Sequence, residues 1–533
     1  MGSDAMGKFE SGDNGLEQVA TSYPQQALLG RFTQTPGILL NVRELAALVH
    51  LPDPSTVAES VETARFSAPA PKIATQDILA PFGRNAYRGT EALVGISEEQ
   101  LTRHVAILGG TGTGKTNLMK SAFAPLLDQG YGMAVLDPKR DLAQGFLDMV
   151  PEHRLEDVVW FDPTDREFPP ALNVMNSSAD LTNEDLTAEL MLGLKRLFRG
   201  SSEFGPRMEW ILRTAVRTLL DSQGGKTLCD IPTFLEDASY RSMVLTSVHD
   251  RSLRDFWQRR NLSRNVIDPV LNRLSSFVDR PSIRDVVGQP GRIDFRQIMR
   301  DKKIFIANLE KGRLQDAAFI LGSFILSRLQ LAALSRPPEE RSLFPVLVDE
   351  FHVYAGQGMD TESIETFLSE TRSYRTPLVA STQYLGRLNR GVIVALFGNL
   401  GTQICMHMGQ IDAALLQRKL GKFSAEDLMN LGIGEAVIRM GSAKDTFNAK
   451  IPLAEVRVSN RTSIIERSRE RYCRFKDEVE RLLNPEGEPD GWQATADGPV
   501  DSEVLMSTDR NGGRRSMNRR MSQVHQPLLW SPP

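Results

Sequence analysis

The segment Gly109-Gly-Thr-Gly-Thr-Gly-Lys115-Thr116 decides how the rest of the chain is interpreted. Two glycines five positions apart, followed by Lys and Thr, form the pattern of a phosphate-binding loop. Glycine lets the backbone approach closely enough to point successive N–H groups at phosphate oxygens, and a following helix adds the positive end of its dipole. The segment lies between an apolar strand pattern, 104–108, and a helical pattern, 116–128, as this mechanism requires.

The loop predicts a site for ATP and Mg²⁺. Lys115 is expected to contact the β- and γ-phosphates and to assist catalysis, and the hydroxyl of Thr116 to ligate the metal. We assign nucleotide contacts to Gly109, Gly110, Thr111, Gly112, Thr113, Gly114, Lys115, Thr116 and Asn117.

A phosphate loop binds nucleotide but needs a carboxylate at the end of a buried strand for hydrolysis. The segment Pro345-Val-Leu-Val-Asp349-Glu350 supplies two adjacent acids after an apolar run. We predict that Asp349 holds the magnesium shell and that Glu350 accepts a proton from the attacking water or orients it. Adjacent acids after a strand recur by chance, so this assignment depends on the loop.

Three polar residues flank the next apolar run, 377–380. Arg372 and Arg375 precede it, and Gln383 follows it at the strand end, where a polar side chain can sense a γ-phosphate. An arginine that reaches the phosphate of a neighbouring subunit can supply about 10³–10⁵ in rate. A surface role is the alternative for each arginine.

Strand and helix patterns alternate on both sides of the loop, which predicts an α/β fold with a mostly parallel sheet. The strand patterns are 104–108, 133–136, 158–161, 303–309, 345–348, 377–380, 403–408 and 436–440. Between them, residues 186–197, 209–220 and 266–277 show only helical spacing. We therefore predict a P-loop core in two parts, 93–177 and 293–455, interrupted by an all-α insertion, 178–292. An N-terminal arm, 1–92, and a C-terminal region, 456–533, with a charged helix at 464–483 and a basic tail complete the organisation.

Composition sets broad limits on function. The chain has 533 residues, 41% hydrophobic and 24% charged, which are values typical of globular proteins. A net charge of −4 argues against a uniformly basic nucleic-acid coat and permits a local basic groove. The three cysteines have no paired spacing, which fits a reducing cytoplasm. We expect no membrane-spanning stretch and no leader sequence.

These motifs and several others together resemble the HerA/FtsK superfamily, within it the coupling proteins of type IV secretion and conjugation. The resemblance covers about 84–475. Besides the loop and the two carboxylates, it rests on Tyr87-Arg88-Gly89, Val94-Gly95, Val135-Leu-Asp-Pro-Lys139, Gly205-Pro-Arg-Met-Glu209, Thr371-Arg372 eleven residues before Gln383 in Ala380-Ser-Thr-Gln383, Phe397-Gly-Asn-Leu-Gly401-Thr402 and Asp412-Ala-Ala414. It implies a RecA-like core, ATP sites between the subunits of a homo-hexamer, Arg372 acting in trans and Gln383 as the γ-phosphate sensor. Coupling proteins usually carry N-terminal membrane helices, which we do not find here.

The same resemblance implies a ring motor that hydrolyses ATP to translocate DNA, in the cytoplasm or held at the inner face of the membrane by a partner. Arg251, Arg254, Arg259 and Arg260 are potential DNA contacts, with a solvated helix face as the alternative. A motor for protein substrates, and a ring partnered with a nuclease or other effector in DNA repair or phage defence, stay open. His104 and His352 flank the site, and we interpret both as packing residues.

Overall fold

The structure, a computed structural model, describes residues 66–176, 182–198, 205–259, 264–357, 361–455 and 460–484. The predicted arm up to residue 65, Arg260 and the basic tail lie outside this part of the chain. The described residues form eleven strands: β1 Ile78–Tyr87, β2 Thr90–Ser97, β3 Val105–Leu108, β4 Met133–Asp137, β5 Val158–Phe161, β6 Ile304–Asn308, β7 Val346–Val348, β8 Leu378–Thr382, β9 Thr402–Cys405, β10 Glu435–Met440 and β11 Thr446–Lys450.

The helices follow the same chain order. The first group is α1 Lys72–Thr75, α2 Glu98–Leu101, α3 Lys115–Phe123, α4 Pro125–Asp128, α5 Asp141–Met149, α6 Asn183–Lys195, α7 Pro206–Asp221, α8 Asp230–Glu236, α9 Ala238–Thr246, α10 Arg251–Arg259 and α11 Arg264–Val278. The second group is α12 Pro281–Val287, α13 Phe295–Arg300, α14 Lys311–Leu314, α15 Ala317–Leu334, α16 Phe351–Gln357, α17 Thr361–Thr371, α18 Arg390–Asn399, α19 Gln410–Leu416, α20 Ala425–Met429, α21 Arg461–Tyr472 and α22 Lys476–Leu483.

The strands form one sheet in the order β2-β1-β11-β10-β9-β3-β8-β7-β4-β6-β5. From β9 to β5 all neighbours are parallel, whereas β10, β11, β1 and β2 continue the sheet antiparallel. Every residue of β3, β4 and β6 is buried, as expected for parallel strands covered by helices on both faces. The predicted α/β class with a mostly parallel sheet is confirmed.

Side chains alternate between two hydrophobic cores, one on each face of the sheet. On β3, Val105 and Ile107 lie in one core, with α3 and α5, and Ala106 and Leu108 lie in the other. The second core also contains the buried residues of α6 to α13. These helices follow β5 and precede β6, and the described residues between them form no strand. The helical segment therefore covers one face of the sheet and shares its core.

Two sequence expectations need correction. Strands β1 and β2 lie mostly within the predicted arm, 1–92, yet they pair with each other and β1 pairs with β11 at Arg84 and Lys450. The alternation that marks an edge hairpin is weak here, because Pro81 and two register shifts interrupt it. The predicted helix 464–483 is two helices, since Cys473 is extended and forms a β-bridge with Pro170.

Helix α15 is long and apolar enough to cross a membrane, contrary to the expectation that no such stretch exists. Most of the helix is buried inside the fold, and its residues belong to the hydrophobic core that contains α6 to α13. A central core helix of a globular domain has the same length and composition, because it contacts other elements on all sides.

Helix α21 covers the outer edge of the sheet at β5. The buried Ser468 accepts a hydrogen bond from the backbone N–H of Trp160 on β5, at 2.8 Å. Arginines of the helix reach carboxylates on both sides of this strand, with Arg461 on Asp148 and Arg469 on Asp165. An edge strand presents unpaired backbone groups that invite association, and this helix shields them.

His104 joins the amino ends of β3 and β8. Its Nε2 lies 2.7 Å from the carbonyl oxygen of Leu368, and its Nδ1 accepts a hydrogen bond from the backbone N–H of Leu378 at 2.9 Å. These partners fix the neutral tautomer with its hydrogen on Nε2. Burial, slightly opposed by the Leu368 hydrogen bond, lowers the pKa of His104 from 6.5 to about 4.

We predict that acid destabilises the fold through His104. A lowered pKa in the folded state means that the stabilisation is complete above the ordinary pKa of 6.5 and is lost as the pH falls towards about 4. Urea unfolding should show about 2 kcal/mol of this loss between about pH 7 and pH 5. His104→Asn should remove this component, because Asn tolerates the φ of 61° at this position and does not titrate. The same pH dependence in both proteins would contradict the assignment.

Candidate functional site

The phosphate loop connects β3 to α3 and is held open by its neighbours. Gly112 and Gly114 have φ values of 77° and 108°, which side chains disfavour. A Cβ on Gly109 would lie 2.8 Å from the Cβ of Met406, so only glycine fits there. The N–H of Gly110 donates to the carbonyl oxygen of His407 at 2.8 Å. The segment directly after β9, a neighbour of β3 in the sheet, therefore packs against the loop.

Lys115 is buried and folds back over its own loop. Its Nζ donates to the carbonyl oxygens of Gly109 and Gly110, at 2.7 Å each. Burial lowers the pKa of Lys115, and the negative charges of Glu350 and Asp349 partly oppose this change. The ammonium therefore lies between the loop and the two carboxylates, where the phosphates of a nucleotide would be received.

Four neighbouring parallel strands bring the predicted residues to one edge of the sheet. Leu108 of β3 is level with Thr382 of β8, Val348 of β7 with Ala380, and Leu136 of β4 with Val348. The loop, Gln383, the Asp349–Glu350 pair and Asp137 follow or end these strands in turn. The carboxyl edge of an open parallel sheet is the usual place for a ligand.

Gln383 connects the carboxylate to the phosphate loop. Its amide nitrogen donates to Oε1 of Glu350, and its amide oxygen accepts a hydrogen bond from the hydroxyl of Thr111 at 2.9 Å. One side chain thus contacts both the base predicted for hydrolysis and the loop predicted for phosphate. The structure brings Gln383, Glu350 and Thr111 together as a sensor requires.

Lys139 is a site residue to which the sequence analysis gave no role. Its Nζ donates to the same Oε1 of Glu350 that Gln383 contacts. Asp137 orients the segment, because its carboxylate accepts hydrogen bonds from the backbone N–H groups of Lys139 and Ala143, at 2.7 and 2.9 Å. In the sequence, only the motif Val135-Leu-Asp-Pro-Lys139 pointed to this residue. Its contact with Glu350 follows from the pairing of β4 with β7, which the motif does not reveal.

The two acids after β7 are both about 3% exposed. Burial, followed by the charge of Glu350, raises the pKa of Asp349. Within the described residues, Oδ1 of Asp349 and Oε2 of Glu350 have no hydrogen-bond partner. Glu350 also has a φ of 49°, a strained value for a residue with a side chain. Buried acceptors without donors and a strained backbone are typical of a site completed by a ligand.

His352 lies on the other side of Glu350. Its Nδ1 is 3.3 Å from Oε2 of Glu350 and 3.2 Å from the hydroxyl of Thr382. Its Nε2 is 3.3 Å from Nη1 of Arg387. Burial, then the charges of Arg387 and Lys139, lowers the pKa of His352 to about 4. The imidazole is therefore neutral and contacts the predicted base.

The two arginines before β8 lie far from the loop of their own chain. Arg372 is exposed and lies near His104, which precedes β3, whereas the loop follows β3. At about 3.3 Å per residue, this strand separates the two ends by roughly 13 Å. Arg375 forms an ion pair with Glu98 at the same end. Neither arginine joins the carboxyl-edge site within one chain.

Two other predicted contacts are placed as follows. Thr116 is half-buried on the first turn of α3, beside Lys115. Asn117 faces away from the loop interior, since its amide nitrogen donates to the carbonyl oxygen of Pro452 at 2.8 Å and its oxygen accepts from the N–H of Ala454 at 2.8 Å. Asn117 thus fastens the segment after β11 to α3.

The donor set fits Mg²⁺ bound together with phosphate. In the described ranges, no group of three or more His, Cys, Asp or Glu side chains is arranged to hold a metal alone. Magnesium usually takes one or two protein oxygens and completes its shell with water and substrate phosphates. The partnerless Oδ1 of Asp349 and the hydroxyl of Thr116 are such oxygens.

Comparison with known proteins agrees with this geometry. The sequence-family model for the central domain of helicase HerA matches residues 82–329. The plasmid coupling protein TrwB, solved in complex with ADP and Mg²⁺, shares the fold with a TM-score of 0.56 at 14% identity, over 75% of this chain and 99% of that one. VirB4 of Thermoanaerobacter pseudethanolicus has a TM-score of 0.52 at 15% identity, over 72% and 98% of the two chains.

At these identities the structural matches concern the fold. No curated protein sequence matches the chain. The HerA domain match spans the phosphate loop, the segment of Lys139 and the helices that cover one face of the sheet. Residues 82–329 are therefore similar to the central domain of helicase HerA, and the described fold resembles that of conjugative coupling proteins.

Proposed function

We propose that this protein hydrolyses ATP with Mg²⁺ and uses the reaction to move DNA through a ring of identical subunits. The observation that carries the proposal is the link from Thr111 through Gln383 to Glu350. It joins the loop that binds phosphate to the carboxylate that acts on water. A loss of γ-phosphate at the loop is thereby transmitted to β8.

The loop and the carboxylates fit ATP and Mg²⁺. TrwB was solved with ADP and Mg²⁺ and with a non-hydrolysable ATP analogue. Here the N–H groups of the loop and Lys115 would hold the phosphates, and Thr116 and Asp349 would hold the metal. When bound, the metal supplies positive charge against the phosphate oxygens. Lys115, now on two carbonyl oxygens of its own loop, exchanges these neutral acceptors for anionic ones.

Glu350 is the residue proposed to take the proton of the attacking water. Lys139 and Gln383 both bind its Oε1, which leaves Oε2 as the oxygen without a hydrogen bond. Burial, and then the charge of Glu350, disfavours the charged form of the neighbouring Asp349 unless positive charge is added. Asp349 and Glu350 would therefore be most effective in hydrolysis when the positive charges of the metal and of Lys115 lie next to them.

Arg372 is proposed to act on the nucleotide of a neighbouring subunit. It is exposed, and β3 separates it from the loop of its own chain. In a head-to-tail ring, one subunit presents its loop edge to the opposite edge of the next, so an arginine at that edge can meet a neighbour's γ-phosphate. A ring of six is the number that the family resemblance implies.

DNA is the proposed polymer on the strength of the HerA domain match and the coupling-protein fold. The predicted contacts on α10 differ in their availability. Arg254 donates to the carbonyl oxygen of Val248 at 2.9 Å, and Arg259 pairs with Asp255 at 3.4 Å, while Arg251 is exposed. Phosphate contacts multiply around a ring, so a few available cations per subunit suffice. The same proposal includes a further protein that binds the ring, either a membrane-bound secretion partner or an effector subunit.

The first experiment is steady-state ATP hydrolysis with Mg²⁺, with and without single- and double-stranded DNA. We expect DNA to stimulate turnover, and the stimulation to weaken as salt rises. Glu350→Gln is the blank and should lose about 10²–10⁴-fold in kcat, because it removes the general base and keeps the shape. Hydrolysis that is independent of DNA would instead support a motor for protein substrates or an effector-coupled ring.

Lys115→Ala tests the phosphate loop. The variant loses the only side-chain cation on the loop, so we expect ATP affinity to fall by about 10²-fold or more, as the loss of charge-assisted hydrogen bonds implies. Binding of a fluorescent ATP analogue measures this directly. Affinity equal to that of the unchanged protein would remove Lys115 from the site.

Arg372→Ala tests action between subunits. We expect the variant to bind ATP normally and to lose about 10³-fold or more in kcat. Mixing it with Lys115→Ala should restore part of the activity, because the intact loop of one chain then meets the intact arginine of the other. Arg375→Ala is the matched control, since its ion pair with Glu98 is internal. If Arg372→Ala alone keeps full ATPase activity, Arg372 does not act on the nucleotide of a neighbouring subunit.

A further inference from the structure

The turn after β8 places an exposed cation next to the hydrolytic site. The turn is a short 3₁₀ helix, Leu385–Arg387, directly after Gln383. The guanidinium of Arg387 is exposed and lies 5.3 Å from the ring centre of Tyr384, which is itself 45% exposed. The side chain of Arg387 is therefore accessible to solvent, while one of its nitrogens points towards the interior of the site.

On its inner side Arg387 contacts His352. Nη1 lies 3.3 Å from Nε2 of the imidazole. A guanidinium has donors and no acceptor, so Nε2 must accept. The hydrogen of the neutral ring then lies on Nδ1, and Arg387 fixes the tautomer.

The hydrogen on Nδ1 faces the predicted base. Nδ1 donates this hydrogen to the hydroxyl of Thr382 at 3.2 Å, and Oε2 of Glu350 lies 3.3 Å from the same nitrogen. Oε2 has no hydrogen bond from any described residue, and the Nδ1–H dipole lies beside it in the resting state. An exposed arginine is thus two contacts away from the oxygen that takes the proton.

We propose that Arg387 senses the phosphate backbone of DNA and that His352 transmits its binding to Glu350. The inference rests on the proposed function and adds the means by which DNA regulates that site. In it Arg387 and His352 are positioning residues: Arg387 acts through His352, and His352 acts on Oε2 of Glu350 without contacting the nucleotide.

The direction follows from the strength of the contacts. Hydrogen bonds from a guanidinium to an anionic phosphate are about twice as strong as those between neutral groups. A phosphate therefore displaces Nε2 of His352 from Arg387. The ring hydrogen can then reside on Nε2, by exchange with water, and the lone pair of Nδ1 faces Oε2. Oε2 of Glu350 then no longer faces an N–H group, so no donor among the described residues competes with the attacking water for this oxygen.

The pairing of Arg387 with an exposed aromatic ring favours DNA over an acidic protein. Single strands are bound by cations on the phosphates together with aromatic rings on which bases stack. Tyr384 and Arg387 offer both groups side by side at the surface. An acidic polypeptide would use the cation alone.

The test compares steady-state kcat and KM for ATP, without DNA and with saturating single-stranded DNA, in four variants of the full chain. Arg387→Gln and His352→Gln break the connection, the second without changing any surface charge. Arg387→Lys keeps a cationic donor. Arg390→Gln removes a neighbouring exposed arginine on α18 and is the matched control. DNA affinity is measured separately for each by fluorescence anisotropy, and an oligoglutamate of equal charge serves as the acidic-protein probe.

We expect Arg387→Gln and His352→Gln to have a raised basal kcat, an unchanged KM, and a ratio of stimulated to basal kcat of about one. The DNA affinity of His352→Gln should stay unchanged. Arg387→Lys and Arg390→Gln should keep the stimulation at saturating DNA. If Arg387→Gln binds DNA more weakly but is fully stimulated at saturation, Arg387 only binds DNA and the transmission is wrong. Stimulation by oligoglutamate but not by DNA overturns the ligand class. A wild-type enzyme that DNA does not stimulate overturns the proposed function itself.

Discussion

The parallel register of β3, β8, β7 and β4 is the constraint on which the rest of the structure depends. It places four strand ends at one level, so that segments distant in sequence contribute to one site. A shift of one residue in β7 would point Glu350 to the opposite face, because side chains alternate along a strand. The buried apolar residues of these strands fix the register, and the chemistry of the site is a consequence of core packing.

This arrangement concentrates charge where water is largely excluded. Asp137, Asp349 and Glu350 lie within a buried edge, and burial raises the pKa of Asp137 to about 6. Lys115 and Lys139 offset part of the negative charge. Carboxylate oxygens without donors remain at Asp349 and Glu350. The site thus has carboxylate oxygens without donors, and the Mg²⁺ ion of a bound nucleotide would supply positive charge next to them.

Sequence reasoning recovered the fold where the signal was local. The eight strand patterns it identified correspond to β3 to β10, and seven of these, β3 to β9, have parallel neighbours and form continuous buried runs. It missed β1, β2 and β11, which pair antiparallel and mix exposed or half-buried residues with buried ones. The loop and the carboxylate pair were evident from spacing. Lys139 and Arg387 received no role and His352 was interpreted as a packing residue, because their contacts depend on which strands become neighbours, and no pattern along the chain states that.

Both borders of the sheet are capped by helices. At one border α21 lies over β5, and at the other α1 contacts β2. These helices hinder backbone pairing between copies at each border, so copies of this chain that associate would meet through side chains on loops and helices. Side-chain contacts of this kind can break and re-form during a cycle of nucleotide hydrolysis. A sheet continued from one copy to the next would instead fix the copies in one relative orientation. Helix-covered sheet borders therefore permit an assembly in which the contacts between subunits can rearrange.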